Sequence, residues 1–317
     1  MNNDQTPMKP AGGRRLMVRH ATHYSYDVPV QRSIHRLHLR PILDMRQRVI
    51  THALTITPPA QMFESEDVFG NAMVTFDVTQ PYTQMTIEAR SEIEIVDADP
   101  FAFAQTPIRP SFPLVWMPWE QKMLQPYLTS QELPDTQLHE IFDYAMSFVE
   151  KNNRDLMETL FAINLALFRE YKYAPGTTNN ATTAFDVLCN KQGVCQDFSN
   201  LFICMARLLA IPARYVWGYL YTGNVGQSRA SSDATHAWVQ LYIPKIGWKD
   251  FDPTNGVLPR TDHVRVGVGR NYRDAAPIAG TLYSPANETL KVDVEVRDLD
   301  VPAAPAQEAP PQPLAAA

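Results

Sequence analysis

The chain has 317 residues, 45% of them hydrophobic and 20% charged, with a formal net charge of −6. That is the composition of a soluble globular protein, long enough for two ordinary domains or one large one. The negative balance argues against nucleic acid or an anionic membrane as partner, and no run approaches the roughly 20 apolar residues that span a bilayer.

The first stretch, MNNDQTPMKPAGGRR, has no apolar core behind its charges, so no signal peptide is expected. Residues 1–16 are read as a disordered N-terminus. From Met17 to Asp97 short alternating runs follow one another, among them LMVRHATHYSY, RVITHALTITP, NAMVTFDVT and QMTIEARSEIEIV, broken by turn residues. Period-two alternation with β-branched residues predicts an antiparallel all-β domain, a β-sandwich, over residues 17–110. It contains two histidine pairs, His20/His23 and His35/His38. Residues three apart on a strand point to opposite faces, so neither pair forms a metal site by itself.

The stretch DPFAFAQTPIRPSFPLVWMPWE, rich in proline and aromatics, reads as the connection to a second domain over residues 111–297. Its Phe112, Trp116 and Trp119 are expected to be buried against the core. Beyond it, LHEIFDYAMSFVEK and RDLMETLFAINLALFREY have apolar residues at helical spacing. TTAFDVLCNKQG predicts a shorter helix that ends with Gly193 as its cap. A further helix over 195–210 leads into the strand-like segments ARYVWGYLY, HAWVQLYI and GWKDFDP. Helices followed by an antiparallel sheet, behind a β-domain, give an α+β fold class. Residues 298–317, ending VPAAPAQEAPPQPLAAA, read as a disordered Pro/Ala-rich tail.

Three cysteines, Cys189, Cys195 and Cys204, form an odd and sparse set that suits a reducing compartment, the cytoplasm. Their spacing matches no compact zinc pattern. On a helix over 195–210, Cys195, Phe198, Phe202, Met205 and Leu209 share one face, while Gln196, Asn200 and Arg207 mark a polar side. Cys195 falls in the first turn, where the helix dipole and unpaired N–H groups favour negative charge and suit an oxyanion. Cys204 lies mid-helix and reads as a packing residue. From position alone Cys195 is a nucleophile or a core sulfur.

The stretch THAWVQLYIPKIGWKDFDPTNG adds a candidate base and its orienter. If Tyr242 opposes Trp248 in an antiparallel hairpin, His236 opposes Thr254. Asp252 then lies diagonal to His236 on the same face.

At this point GVCQDFSNLFICMARLLAIPARYVWGYL, THAWVQLYIPKIGWKDFDPTNG and DHVRVGVGRNYRDAAP resemble the bacterial transglutaminase-like family of the papain-like cysteine-enzyme superfamily. HATHYSYDVPVQRSIHRLHLRP resembles the β-sandwich commonly fused ahead of that core. The resemblance implies a transglutaminase-like catalytic domain with Cys195 as nucleophile, His236 as base and Asp252 as orienter. It implies a cysteine-dependent acyl transfer on peptide or isopeptide amides, by hydrolysis or by transfer to an amine. The alternatives are a non-catalytic scaffold, or an amide-forming enzyme working with an ATP-using partner. Asn200 and Asn271 depart from the family pattern, which often has histidine and aspartate there. Further expectations are the Cys195 N–H and Tyr173 as oxyanion donors, and Asp197, Tyr219, Arg270 and Tyr272 around the pocket. No glycine-rich phosphate loop is present, and no nucleotide, cofactor or metal is inferred.

Overall fold

The computed structural model describes residues 13–97, 99, 109–179, 181–223 and 235–301. Residues 1–12 and 302–317, read above as parts of disordered termini, lie outside them. Six strands come first: β1 (Arg14–Val30), β2 (Ser33–Leu37), β3 (Gln47–Thr57), β4 (Met62–Glu66), β5 (Ala72–Val78) and β6 (Tyr82–Ile95). Three helices follow, α1 (Pro118–Leu128), α2 (Asp135–Lys151) and α3 (Leu156–Glu170). Then come β7 (Lys172–Tyr173), α4 (Ala184–Asn190), β8 (Gln192–Gly193) and α5 (Cys195–Leu208). The chain ends through β9 (Ala213–Leu220), β10 (Thr235–Ile243), β11 (Gly247–Phe251), β12 (His263–Gly269), α6 (Tyr272–Ala275), β13 (Ile278–Leu282) and β14 (Glu288–Asp298).

The N-terminal strands form because their side chains alternate. In β6, Met85, Ile87, Ala89, Ile93 and Ile95 are buried, while Glu88, Arg90, Glu92 and Glu94 point the other way. The result is the expected pair of antiparallel sheets, ordered β14-β1-β6-β3 and β13-β2-β5-β4. Those orders correct one assignment. The sequence assigns residues 278–297 to the second domain and residues 14–16 and 298 to disordered termini, yet β13 pairs with β2 and β14 pairs with β1 along Leu16↔Asp298 to Tyr26↔Glu288. The physical reason is the length of β1: seventeen residues present a long backbone edge that β6 satisfies on one side alone.

The second layer is the antiparallel sheet β11-β10-β9-β12 with α5 packed on it. Phe198, Phe202 and Met205 are fully buried on α5, as their helical spacing predicts. Arg207, however, is not on a solvated side. It is 8% exposed and donates to the carbonyls of Ala213, Thr129 and Arg270 at 2.6–3.3 Å. The neighbouring helices and sheet bury most of α5, so the Arg207 guanidinium is satisfied internally. The left-handed cap of α4 is Lys191 at φ 48°, not Gly193, which pairs instead in β8.

The two layers interlock. Gln47 and Asn71, both completely buried, extend their amides to the open edge of β12. Gln47 donates to Arg265 O and accepts from Arg265 N–H, and Asn71 does the same with Val268 at 2.7 and 2.8 Å. The connection also packs down: Trp116 donates to Ala210 O at 2.8 Å, and Phe112 is half-buried on the core. Trp119 departs from expectation and is 64% exposed, because α1 buries none of its residues.

Candidate active site

Cys195 is the first residue of α5. The earliest bonds at that end are from Asp197 N–H and Phe198 N–H to Val194 O, at 3.0 and 3.1 Å. The N–H groups of Cys195 and Gln196 precede them and have no partner within the helix. Asp197 secures the turn: its Oδ2 accepts from Val194 N–H at 2.8 Å and from the Thr178 hydroxyl at 2.7 Å. It is a buried support and not a cavity residue. Burial raises its carboxyl, against the pull of those two donors.

His236 stands near the start of β10, opposite Gly218 of β9. A Cβ at Gly218 would meet Val264 O at 1.9 Å, so only glycine admits the strands at this spacing. The β10–β11 hairpin has the expected register, Tyr242↔Trp248 through Val239↔Phe251. Asp252 follows directly after β11, and its Oδ2 accepts from His236 Nε2–H at 2.8 Å. Both side chains are fully buried. Trp238 stacks against the imidazole at 6.0 Å.

The Asp252 carboxylate is saturated with donors. Oδ2 also accepts from His263 Nε2–H at 3.0 Å and from Asn255 Nδ2–H at 2.7 Å, and Oδ1 from the N–H groups of Thr254 and Asn255. Burial by itself would raise this carboxyl, but the charges and hydrogen bonds of His236 and His263 outweigh it. They hold it well below the usual carboxylate range. For His236 burial opposes the charged ring, yet Asp252, and after it Cys195, raise the imidazole well above its ordinary value. His236 Nδ1 is buried and without a hydrogen-bond partner of normal geometry, with Cys195 the neighbour that acts on the ring. His236, Asp252 and His263 lie close enough together to hold a metal ion by residue type. Their mutual contacts have hydrogen-bond lengths.

Cys195 and His236 line one cavity of about 640 Å³. The core supplies Gln196, Tyr215, Trp217 and Tyr272, and the sandwich supplies the opposite wall through His20, Thr22, Tyr24, Leu290 and Val292. His20 is bonded to the Tyr219 hydroxyl and to Thr22 Oγ1, both at 3.0 Å, and burial pushes it down to about 4, so it is neutral. Of the expected pocket residues Tyr272 lines this cavity. Tyr219 lies behind His20, and Arg270 is turned away and paired with Asp274. Tyr173 packs edge-on against Phe198 and does not line the cavity, nor do Asn200 and Asn271.

Sequence reasoning missed His263. Its one signal is the Asp262–His263 pair opening a strand, and Asp262 Oδ1 does hold His263 Nδ1–H at 2.8 Å. Its place beside Asp252 follows from the pairing of β12 with β9, which no local pattern reveals.

Residues 16–94 match the bacterial transglutaminase-like N-terminal region, and residues 143–253 match the transglutaminase-like superfamily. An uncharacterized protein of Mycobacterium tuberculosis is 34% identical over 313 residues, covering 93% of this chain and 97% of that one. An uncharacterized protein of Mycobacterium leprae is 31% identical over 287 residues, covering 90% and 99%. The crystal structure of a proposed cysteine protease from Cytophaga hutchinsonii superimposes with a TM-score of 0.72 at 23% identity, covering 93% and 94%. That similarity is one of fold.

Proposed function

The chain belongs to the bacterial transglutaminase-like family, and from that premise we propose that it is a cysteine-dependent acyl-transfer enzyme acting on peptide or isopeptide amides. In this reading Cys195 is the nucleophile, His236 the acid and base, and Asp252 the group that orients the imidazole. The observation that supports it most is the arrangement of His236. Nε2–H is fixed on a buried carboxylate, Nδ1 has no hydrogen-bond partner of normal geometry, Cys195 acts on the ring, and both residues line one cavity.

The thiolate attacks the amide carbonyl, and the developing oxyanion lies at the free N–H groups that begin α5. The tetrahedral intermediate collapses as His236 Nδ1–H gives its proton to the leaving nitrogen, which departs as ammonia or an amine. A thioester remains on Cys195. Water or a primary amine then attacks it while Nδ1 takes up the proton, restoring the thiolate. Residues of this chain carry out every step. The substrate is a peptide or protein, and a reducing cytoplasmic setting suits the three free thiols.

Incubation with glutamine-containing peptides and isopeptide-linked pairs, with and without a primary amine, tests the reading by product mass. Hydrolysis or amine incorporation is expected, and His236→Ala is expected to slow it about 10²–10⁴-fold. Turnover retained in Cys195→Ala would refute the assignment.

A further inference from the structure

β14 is an edge strand: β1 lies on one side of it, and no strand pairs with the other among the described residues. The bonds at its ends fix its phase. Asp27 N–H donates to Asn287 O and Leu299 N–H to Arg15 O, both in the register that pairs Leu16 with Asp298. Bonded and non-bonded pairs alternate along an antiparallel ladder. The odd-numbered residues of β14 therefore bond to β1, and the N–H and C=O of Leu290, Val292 and Val294 are directed to the open side. Their side chains share a face with His20, Thr22 and Tyr24, which is the face that walls the cavity of Cys195 and His236.

Edge strands are ordinarily blunted by charge, proline or a covering element. On the cavity face this one presents Leu290 and Val292, 51% and 45% exposed. The neighbouring edge of β12, by contrast, is closed by Gln47 and Asn71.

We propose that the open edge of β14 is the docking strand for an extended peptide segment of the substrate. The segment joins the sheet as a further strand and carries its amide to Cys195. This rests on the acyl-transfer reading and names its substrate class: unfolded or looped polypeptide rather than a small free amide. Backbone bonds to Leu290, Val292 and Val294 give affinity that tolerates many sequences, and alternate side chains of the segment pack on Leu290, Val292 and Tyr24. The outward-facing stretch from 290 to 294 spans about 13 Å, enough for several residues of a partner strand.

The probe is a seven-residue Val/Thr peptide whose central residue is a glutamine analogue with the side-chain NH₂ replaced by CH₂Cl. Cys195 displaces chloride and is labelled, as mass spectrometry reads. The comparison reagents are the same analogue as a single blocked residue, and iodoacetamide. The peptide is expected to label Cys195 saturably and about tenfold or more faster than the single residue. N-methylation of its alternate backbone nitrogens is expected to remove that advantage. Val292→Pro deletes one outward donor while sparing the bonds to β1, and lowers the peptide's rate about threefold to tenfold. Should that variant melt early, the N-methylated peptide on the wild-type protein decides alone.

A peptide no faster than the single residue, or an N-methylated peptide equally fast, overturns the docking strand and leaves the acyl-transfer reading standing. Failure of iodoacetamide to modify Cys195 overturns both. A dimer in sedimentation that Val292→Pro dissociates assigns the edge to a second copy instead and overturns the proposal.

Discussion

His236 and His263 donate to the same oxygen, Oδ2 of Asp252, at 2.8 and 3.0 Å. All three side chains are buried, so the carboxylate stands between two imidazoles whose charged forms it favours. His263 passes the arrangement on to Asp262, which the same ring holds below the usual carboxylate range, against its own burial. The candidate site is thus the inner end of a network that runs from Cys195 to the rim of the core sheet.

Asp252→Asn is expected to destabilise the protein by roughly 3–5 kcal/mol, the range for breaking a buried ion pair. The loss has a pH signature. The depressed Asp252 contributes stability above its unfolded value near 4, and the raised His236 contributes it fully below about 6.5. The melting difference between wild type and variant is therefore largest at about pH 4–6.5 and shrinks as alkali deprotonates the ring. A difference that grows towards alkaline pH would contradict the pairing.

His263→Leu keeps the His236 contact but removes a charged donor from Asp252 and from Asp262. A stability loss of roughly 3–5 kcal/mol is expected. If His263 helps hold the Asp252 charge, the pH midpoint for alkylation of Cys195 moves as well. A variant with wild-type melting and an unmoved midpoint would mean that His263 only fills space.

Limiting iodoacetamide at neutral pH should modify Cys195 ahead of Cys204. Cys195 opens into the cavity beside His236, whereas Cys204 is fully buried and burial pushes its thiol up to about 11. Peptide mapping after partial alkylation reads the order. Label on Cys204 first would sink the assignment.

A fragment of residues 110–317 should be insoluble or melt well below the full chain. It carries β13 and β14 without the strands they pair with, and exposes the face of the core that Gln47, Asn71 and His20 cover. A soluble fragment with the full-length melting temperature would show that the two layers are independent.

Much of the site was legible because short-range rules govern it. The IPKIGW turn sets the hairpin register, and the register carries Asp252 to His236. Gly193 and the apolar stripe beyond it announce a helix starting at Cys195. What escaped depends on sheet order and enclosure. His263 reaches Asp252 because β12 lies beside β9, and β14 finds β1 across the whole chain. Arg207 reads as solvated on an isolated helix, and only the packed neighbours supply the three carbonyls that hold it. Trp119 reads as core by composition, yet α1 lies along the surface.

The return of the chain to its own beginning also governs how the molecule is made. β1 emerges from the ribosome before the other strands, and one of its two neighbours, β6, follows soon after. The other, β14, is about 260 residues behind, roughly 13–50 s at ordinary elongation rates. Throughout that interval the nascent sandwich has the edge of β1 uncovered, and so is open to chaperones and to other nascent chains. The same late strand completes the sandwich and supplies a wall of the Cys195 cavity, so the thiol meets its finished surroundings only after β14 has been made.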